Sequence, residues 1–357
     1  MKRKKTIVKI GKFILFGAIT IFTLAIVLSL GDIGEIMKTV LTLDVKYVIM
    51  SLASLLVYLA LYPLSLCILT RANKYKIKQT KTYCIAMTEH FFNGITPFAT
   101  GGQPFQAYAF SRAGVSIADS TSLLLMNFLV FMLTTNSFAL ASLVYFNRFI
   151  TNGTMAAVAV VGFSINFLVL AFTFSIAASK GVRRLLERAV EKLSVWKLTK
   201  RFIAPRKESV SEYFENVQSA FHRLIKSKSA FTLSLLTKSL SMAAYYATTF
   251  FILRALYVDV PPSELFFIIS GTSFAITMVV FLPTPGSSGG VEFAFKSVFA
   301  NIISAYAVNS IDTVASGGML IWRLFTYYLT MAISLVFYII LELRFKHEEK
   351  TTNANFN

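Results

Sequence analysis

Long apolar runs alternate with short polar loops along almost the whole chain. Residues 13–30, 47–69, 116–146, 155–178, 230–256 and 314–341 each predict a helix that crosses the membrane, since a rise of about 1.5 Å per residue carries roughly 20 residues across a hydrocarbon layer of about 30 Å. Two further apolar stretches, 82–112 and 265–309, are interrupted. The first interruption reads TPFATGGQPF over residues 96–105, and the second reads TPGSSGGVEF over 284–293. Both spell Thr-Pro, three residues, Gly-Gly, two residues, Phe. Proline removes a backbone donor and clashes with a continuing helix, and adjacent glycines weaken it further. A freed backbone group costs several kcal/mol in hydrocarbon, so such breaks belong where protein or a wet cavity surrounds them.

The charged residues between the runs orient them. Lys2, Arg3, Lys4, Lys5, Lys9 and Lys12 precede the first run, and Arg71, Lys74, Lys76, Lys78 and Lys81 follow the second. Basic loops stay on the cytoplasmic side. The first run is therefore an uncleaved span with its N-terminus inside. The stretch 82–112 is flanked by cytoplasmic charge at both ends and reads as a hairpin entering and leaving from inside. The stretch 265–309 reads as a hairpin from outside or as two complete spans. Either choice places the C-terminus, after Arg344 and Lys346, in the cytoplasm. The expected fold is an all-α polytopic membrane protein with an inverted-topology repeat and two broken, re-entrant helical hairpins. It forms a single transmembrane domain, 1–350, with one repeat over about 13–146 and the second over about 155–343. Residues 351–357 are expected to be a disordered tail.

The polar section 180–228 is rich in Lys and Arg. Within it Val182, Leu185, Leu186, Ala189, Val190, Leu193 and Trp196 recur at helical spacing, with Arg183, Arg184, Arg188, Lys192 and Lys197 on the remaining face. Such a helix lies in the headgroup layer or packs on the protein's own cytoplasmic side.

Composition narrows the chemistry. The 357 residues are 55% hydrophobic and include 34 Phe, more apolar surface than a soluble domain needs. The formal net charge of +18 follows from the cytoplasmic loops and does not call for a nucleic-acid partner; it favours an anionic membrane surface. Cys67 and Cys84 sit in or beside apolar segments, and three scattered His argue against a zinc centre, so neither metal nor cofactor is expected. No G-x-x-x-x-G-K-[ST] loop occurs, so ATP is not the predicted energy source.

Ionisable groups inside membrane segments mark pathways or partners. Glu89 and His90 precede the first break, and Gln103, Gln106 and Arg112 follow it. In the second copy Glu292 and Lys296 stand one helical turn apart and are expected to pair. Arg323 lies inside the last span, and Lys238 and Arg254 lie toward the ends of the fifth, where they are expected to snorkel to the interfaces. Half-helix N-termini after Gly101-Gly102 and Gly289-Gly290 would aim free backbone N–H groups at one central anion. Arg112, Lys296 and Arg323 would add positive charge. Glu89 and Glu292 would receive an ammonium or a proton. Thr96, Thr284, Ser287 and Ser288 offer hydroxyls beside Pro97 and Pro285. Arg323 and Glu89 are the leading substrate-binding candidates. His90 reads more readily as a packing residue.

The segments TPFATGGQPFQAY and FLPTPGSSGGVEFAF resemble the paired motifs of the transmembrane region of the lysylphosphatidylglycerol synthase, or multiple peptide resistance factor, family. The resemblance covers essentially the whole chain. It implies a flippase-like protein of the bacterial plasma membrane that translocates a phospholipid or aminoacyl-phospholipid, with a link to cationic-peptide resistance. The family's soluble lysyltransferase domain has no room after the last span, so aminoacyl transfer by this chain alone is not expected. A membrane enzyme of the phosphatidylglycerol lysyltransferase type, or a scaffold for a lipid-modifying enzyme, is the alternative. The implied partners are a phospholipid and either a second copy or a separate synthase.

Overall fold

A computed structural model describes residue 38 and residues 41–150, 152–196, 207–306, 308 and 310–354. The first expected span, 13–30, lies outside the described residues. The rest is helical, with no strand among the described residues. Five helices are long and apolar enough to cross a membrane: Val45–Ala72, Ile117–Phe149, Gly153–Ala178, Pro262–Val279 and Ile311–Glu349. The protein is an all-α polytopic membrane protein.

The second expected span is not one straight helix. It forms α1 (Val45–Leu61) and α2 (Leu64–Ala72), which part around Tyr62 and Pro63. Asp44 caps α1 by accepting from the Lys46 N–H at 2.9 Å. The first broken stretch forms α3 (Gln79–Gly94), a 3-10 turn (Pro97–Ala99) and α4 (Gly102–Arg112). Then come α5 (Ile117–Ser142), the short α6 (Phe146–Phe149) and α7 (Gly153–Ala178). The basic section supplies α8 (Lys180–Val195) and α9 (Lys207–Lys226). The fifth expected span is α10 (Lys228–Ala255), whose Ser, Thr and Lys residues keep it off the apolar group above despite its 28 residues. The second broken stretch forms α11 (Leu265–Val279), a 3-10 turn (Pro285–Ser287) and α12 (Gly290–Ile303). Last come α13 (Ile311–Arg323), a π-helical segment (Leu324–Leu329) and α14 (Thr330–Ala354). The tail expected to be disordered from residue 351 is helical through Ala354.

The arms of both broken stretches are short. At 16, 11, 15 and 14 residues, α3, α4, α11 and α12 are about 24, 16, 22 and 21 Å long, against about 30 Å of hydrocarbon.

Small and polar side chains let the helices approach closely. On the contact between α1 and α10, Ser51 donates to the Thr248 carbonyl at 3.2 Å, Ser54 to that of Ala244 at 2.8 Å, and Ser241 to that of Tyr58 at 3.3 Å. Lipid cannot satisfy such hydroxyls, so they join helices instead. Gly162 of α7 rests on the backbone of Met278 in α11, where any Cβ would collide. The same core continues to Phe295, which stacks on Phe299 at 4.4 Å and on Trp322 at 4.9 Å. Leu56, Val160, Leu168, Phe172, Leu240 and Val336 point outward and are exposed, as surfaces facing acyl chains require.

Candidate functional site

The two breaks share one backbone conformation. Thr96 and Thr284 are extended, with φ/ψ of −121°/145° and −93°/150°. Proline then begins the turn in each. Phe98 (φ 54°) and Gly286 (φ 59°) follow in the left-handed region, and Ala99 and Ser287 join them at φ 51° each. Left-handed backbone is costly for residues with a Cβ; Gly286 also abuts the Tyr327 ring, so a side chain there would meet it.

The two turns pack against each other and border a common cavity of about 220 Å³, lined by Asn93, Gly94, Ala99, Gly286, Ser287 and Arg323 among others. A second cavity, about 250 Å³, shares the wall made by Tyr58, His90, Asn93 and Tyr245 and extends to Tyr62, Tyr246 and Asn166.

The last membrane element fastens both breaks. Arg323, at the end of α13, donates from Nε to Glu292 Oε1 at 2.6 Å, and from Nη2 to the Gly286 carbonyl at 3.1 Å and to Ser288 Oγ at 3.3 Å. Four residues on, within the π-helical segment, Tyr327 donates its hydroxyl to the Gly94 carbonyl at 2.9 Å. The Arg323 guanidinium lies over the Tyr327 ring, 4.7 Å from its centre. One turn of helix thus holds the second break through Arg323 and the first through Tyr327. Below them Ser334 accepts from the Phe91 N–H at 2.9 Å and donates to the Met87 carbonyl at 2.6 Å, binding α14 to α3.

Glu292 and Arg323 are almost wholly out of contact with solvent, with side-chain exposures of 0% and 4%. The expected pairing of Glu292 with Lys296 does not occur. Lys296 turns away to Asp312 at 2.8 Å. Glu292 instead leans toward the start of α12, as helical side chains do, and its Oε2 accepts from the Gly289 N–H at 2.6 Å.

A second buried cation was not expected. Lys238 was read as snorkelling to an interface, yet it is fully buried. Its Nζ donates to the Tyr62 carbonyl at 3.1 Å, at the break around Pro63, and sits 3.4 Å from the centre of the Tyr62 ring. Gln106 donates to Glu89 Oε2 at 3.4 Å. The Tyr58 hydroxyl lies 3.5 Å from His90 Nδ1, and His90 Nε2 is buried with no hydrogen-bond partner among the described residues. Arg254, expected to snorkel, is partly exposed and bound to Asp259 and, at 3.0 Å, to the Tyr47 hydroxyl.

The glycine N–H groups at the breaks are mostly committed. Gly101 donates to Thr96 Oγ1 at 2.9 Å and Gly102 to Asn93 Oδ1 at 2.8 Å, as Gly289 does to Glu292. Thr284 Oγ1 donates to the Ser288 carbonyl at 2.8 Å. Of the N–H groups expected to face an anion, those of Gly101, Gly102 and Gly289 are thus capped from within the turns, and Arg323 carries positive charge at the cavity. Pro97 and Pro285 open the two turns, Gln103 is half-buried in the first turn of α4, and Gly290 begins α12. Arg112 does not join the breaks. It bonds Glu342 at 2.9 Å and Glu349 at 2.9 Å, with its guanidinium 4.3 Å from the centre of the Phe345 ring.

The profile of the family described as Lysylphosphatidylglycerol synthase TM region matches residues 13–334. The chain belongs to this family. No curated protein matches it. Within this lysylphosphatidylglycerol synthase TM region, Tyr327 had no distinguishing signal in the sequence, the position of Asn93 three residues before Thr96 could have suggested a cap for the broken turn, and Lys238 was marked as a charge in an apolar run but not as a buried one.

Proposed function

We propose that this lysylphosphatidylglycerol synthase TM region moves a phospholipid or aminoacyl-phospholipid across the bilayer. The headgroup passes between the two breaks while the acyl chains stay in lipid. Arg323 receives the phosphate, with the Gly286 and Ser288 side of the second break, and Glu89 receives a positive group or a proton. The two halves are inverted-topology repeats, and rocking of one against the other exposes the cavities alternately. The plasma membrane of a bacterium is the setting, with both termini cytoplasmic.

The observation that carries this reading is the contact of two Thr-Pro/Gly-Gly turns beside one shared cavity lined by Asn93, Ser287 and Arg323. Each cavity is below the roughly 300–1,000 Å³ of a pocket for a drug-sized ligand, which suits a headgroup and not a whole lipid. The pairing of buried Arg323 with Glu292 limits the cost of holding charge in the membrane. Reconstitution into liposomes tests it, with fluorescent or aminoacylated lipid placed in one leaflet. The parent is expected to move lipid, and Arg323→Ala and Glu89→Ala to slow it at least ten-fold. A parent that moves no class of lipid sinks the reading.

A further inference from the structure

A cleft of about 660 Å³ lies outside the two break cavities, where the end of α2 faces the junction of α9 and α10 and the first turn of α5. Its floor is apolar, with Leu69, Leu224 and Ala230 buried. Its rim is basic: Lys74, Arg223 and Lys226 line it and are exposed. None of the three has an acidic partner within ion-pair distance among the described residues. The acid in the cleft, Asp119, is committed elsewhere, accepting from the Tyr75 hydroxyl at 3.0 Å and from Ser116 Oγ at 2.7 Å.

Two backbone features shape the rim. Ser227 joins the end of α9 to the start of α10 and makes no side-chain capping bond; opposed helix-dipole ends meet there, so the charge of the rim comes from its side chains. Lys74 is held at φ 57°, a conformation that few residues with a Cβ adopt, in the turn that brings it to the rim. An apolar floor under a rim of three cations and one carboxylate, which is net positive, matches a phosphate carried on a less polar body, and an Arg fork grips phosphate oxygens in pairs. Basic pockets between membrane helices hold anionic headgroups for the same reason.

We propose that this cleft binds a phosphate group, presented by an anionic lipid headgroup or as free phosphate. Calorimetric titration of the purified full chain in maltoside micelles at low salt tests it, using inorganic phosphate in one arm and dihexanoyl phosphatidylglycerol in the other. Saturable binding is expected in at least one arm. Binding of the lipid alone makes the source a lipid; binding of phosphate, alone or as well, makes the phosphate group sufficient. Arg223→Gln/Lys226→Gln is expected to weaken binding at least ten-fold. These residues are exposed, so thermal unfolding should stay at the parent value. Arg184→Gln/Arg188→Gln removes the same charge from α8 and is expected to leave affinity unchanged. No saturable binding in either arm, full affinity in the first variant, or an equal loss in the α8 control would overturn the proposal.

Discussion

Replacing Arg323 by Met is expected to be among the most damaging single changes in the membrane core. The guanidinium makes three polar contacts, to Glu292 at 2.6 Å, the Gly286 carbonyl at 3.1 Å and Ser288 at 3.3 Å. Methionine fills part of the volume but leaves the Glu292 carboxylate, 0% exposed, with its hydrogen bond from the Gly289 N–H. Removing one member of a buried ion pair costs about 3–5 kcal/mol, because the other charge stays desolvated. Removing both costs far less. Glu292→Gln/Arg323→Met keeps an amide beside Gly289 and removes the stranded charge, so it should recover most of the loss, with a coupling of about 2 kcal/mol or more. Unfolding in mixed micelles of rising SDS fraction gives the free energies of the parent, both single variants and the double variant. An Arg323→Met protein as stable as the parent, or a double variant as unstable as the sum of the singles, would refute the reasoning.

Three further outcomes are expected. Gly286→Ala places a Cβ against the Tyr327 ring in a left-handed residue, and should lower stability by about 1–3 kcal/mol and slow lipid movement; unchanged unfolding by the same SDS titration would count against the contact. Lys238→Met removes the hydrogen bond to the Tyr62 carbonyl and the contact with the Tyr62 ring, and should destabilise by about 1–3 kcal/mol; a variant with parental stability would mean that the ammonium contributes nothing there. Arg112→Ala removes partly exposed pairs to Glu342 and Glu349, and should cost only about 1 kcal/mol at low salt and less at high salt; a salt-independent loss would point to the Phe345 contact instead.

The breaks themselves were plain in the sequence, because proline and paired glycine together weaken a continuing helix and recur at the same spacing after Thr96 and Thr284. That they touch, and through which residues, was not. The repeat is written in Thr96-Pro97 and Thr284-Pro285, but the fastening is done by Tyr327, one of many aromatics in an apolar run and carried by a π-helical segment with no sequence mark. Helical spacing offered Lys296 as the partner of Glu292, and it failed because Glu292 turns back to cap its own helix at Gly289 while Asp312 draws Lys296 away. Lys238 was misplaced for a related reason. Its distance along α10 suggested reach to an interface, but the Pro63 break exposes the Tyr62 carbonyl and ring beside it, and these hold the ammonium inside.

The most direct test joins the two turns. With Cys67 and Cys84 replaced by Ser, Ala99→Cys/Ser287→Cys puts one thiol on each turn beside the shared cavity. A short bifunctional thiol reagent is predicted to link them within one chain and to stop lipid movement in liposomes, with movement returning when a cleavable linker is cut. Failure to link, or linked protein that moves lipid as fast as unlinked, would contradict the account.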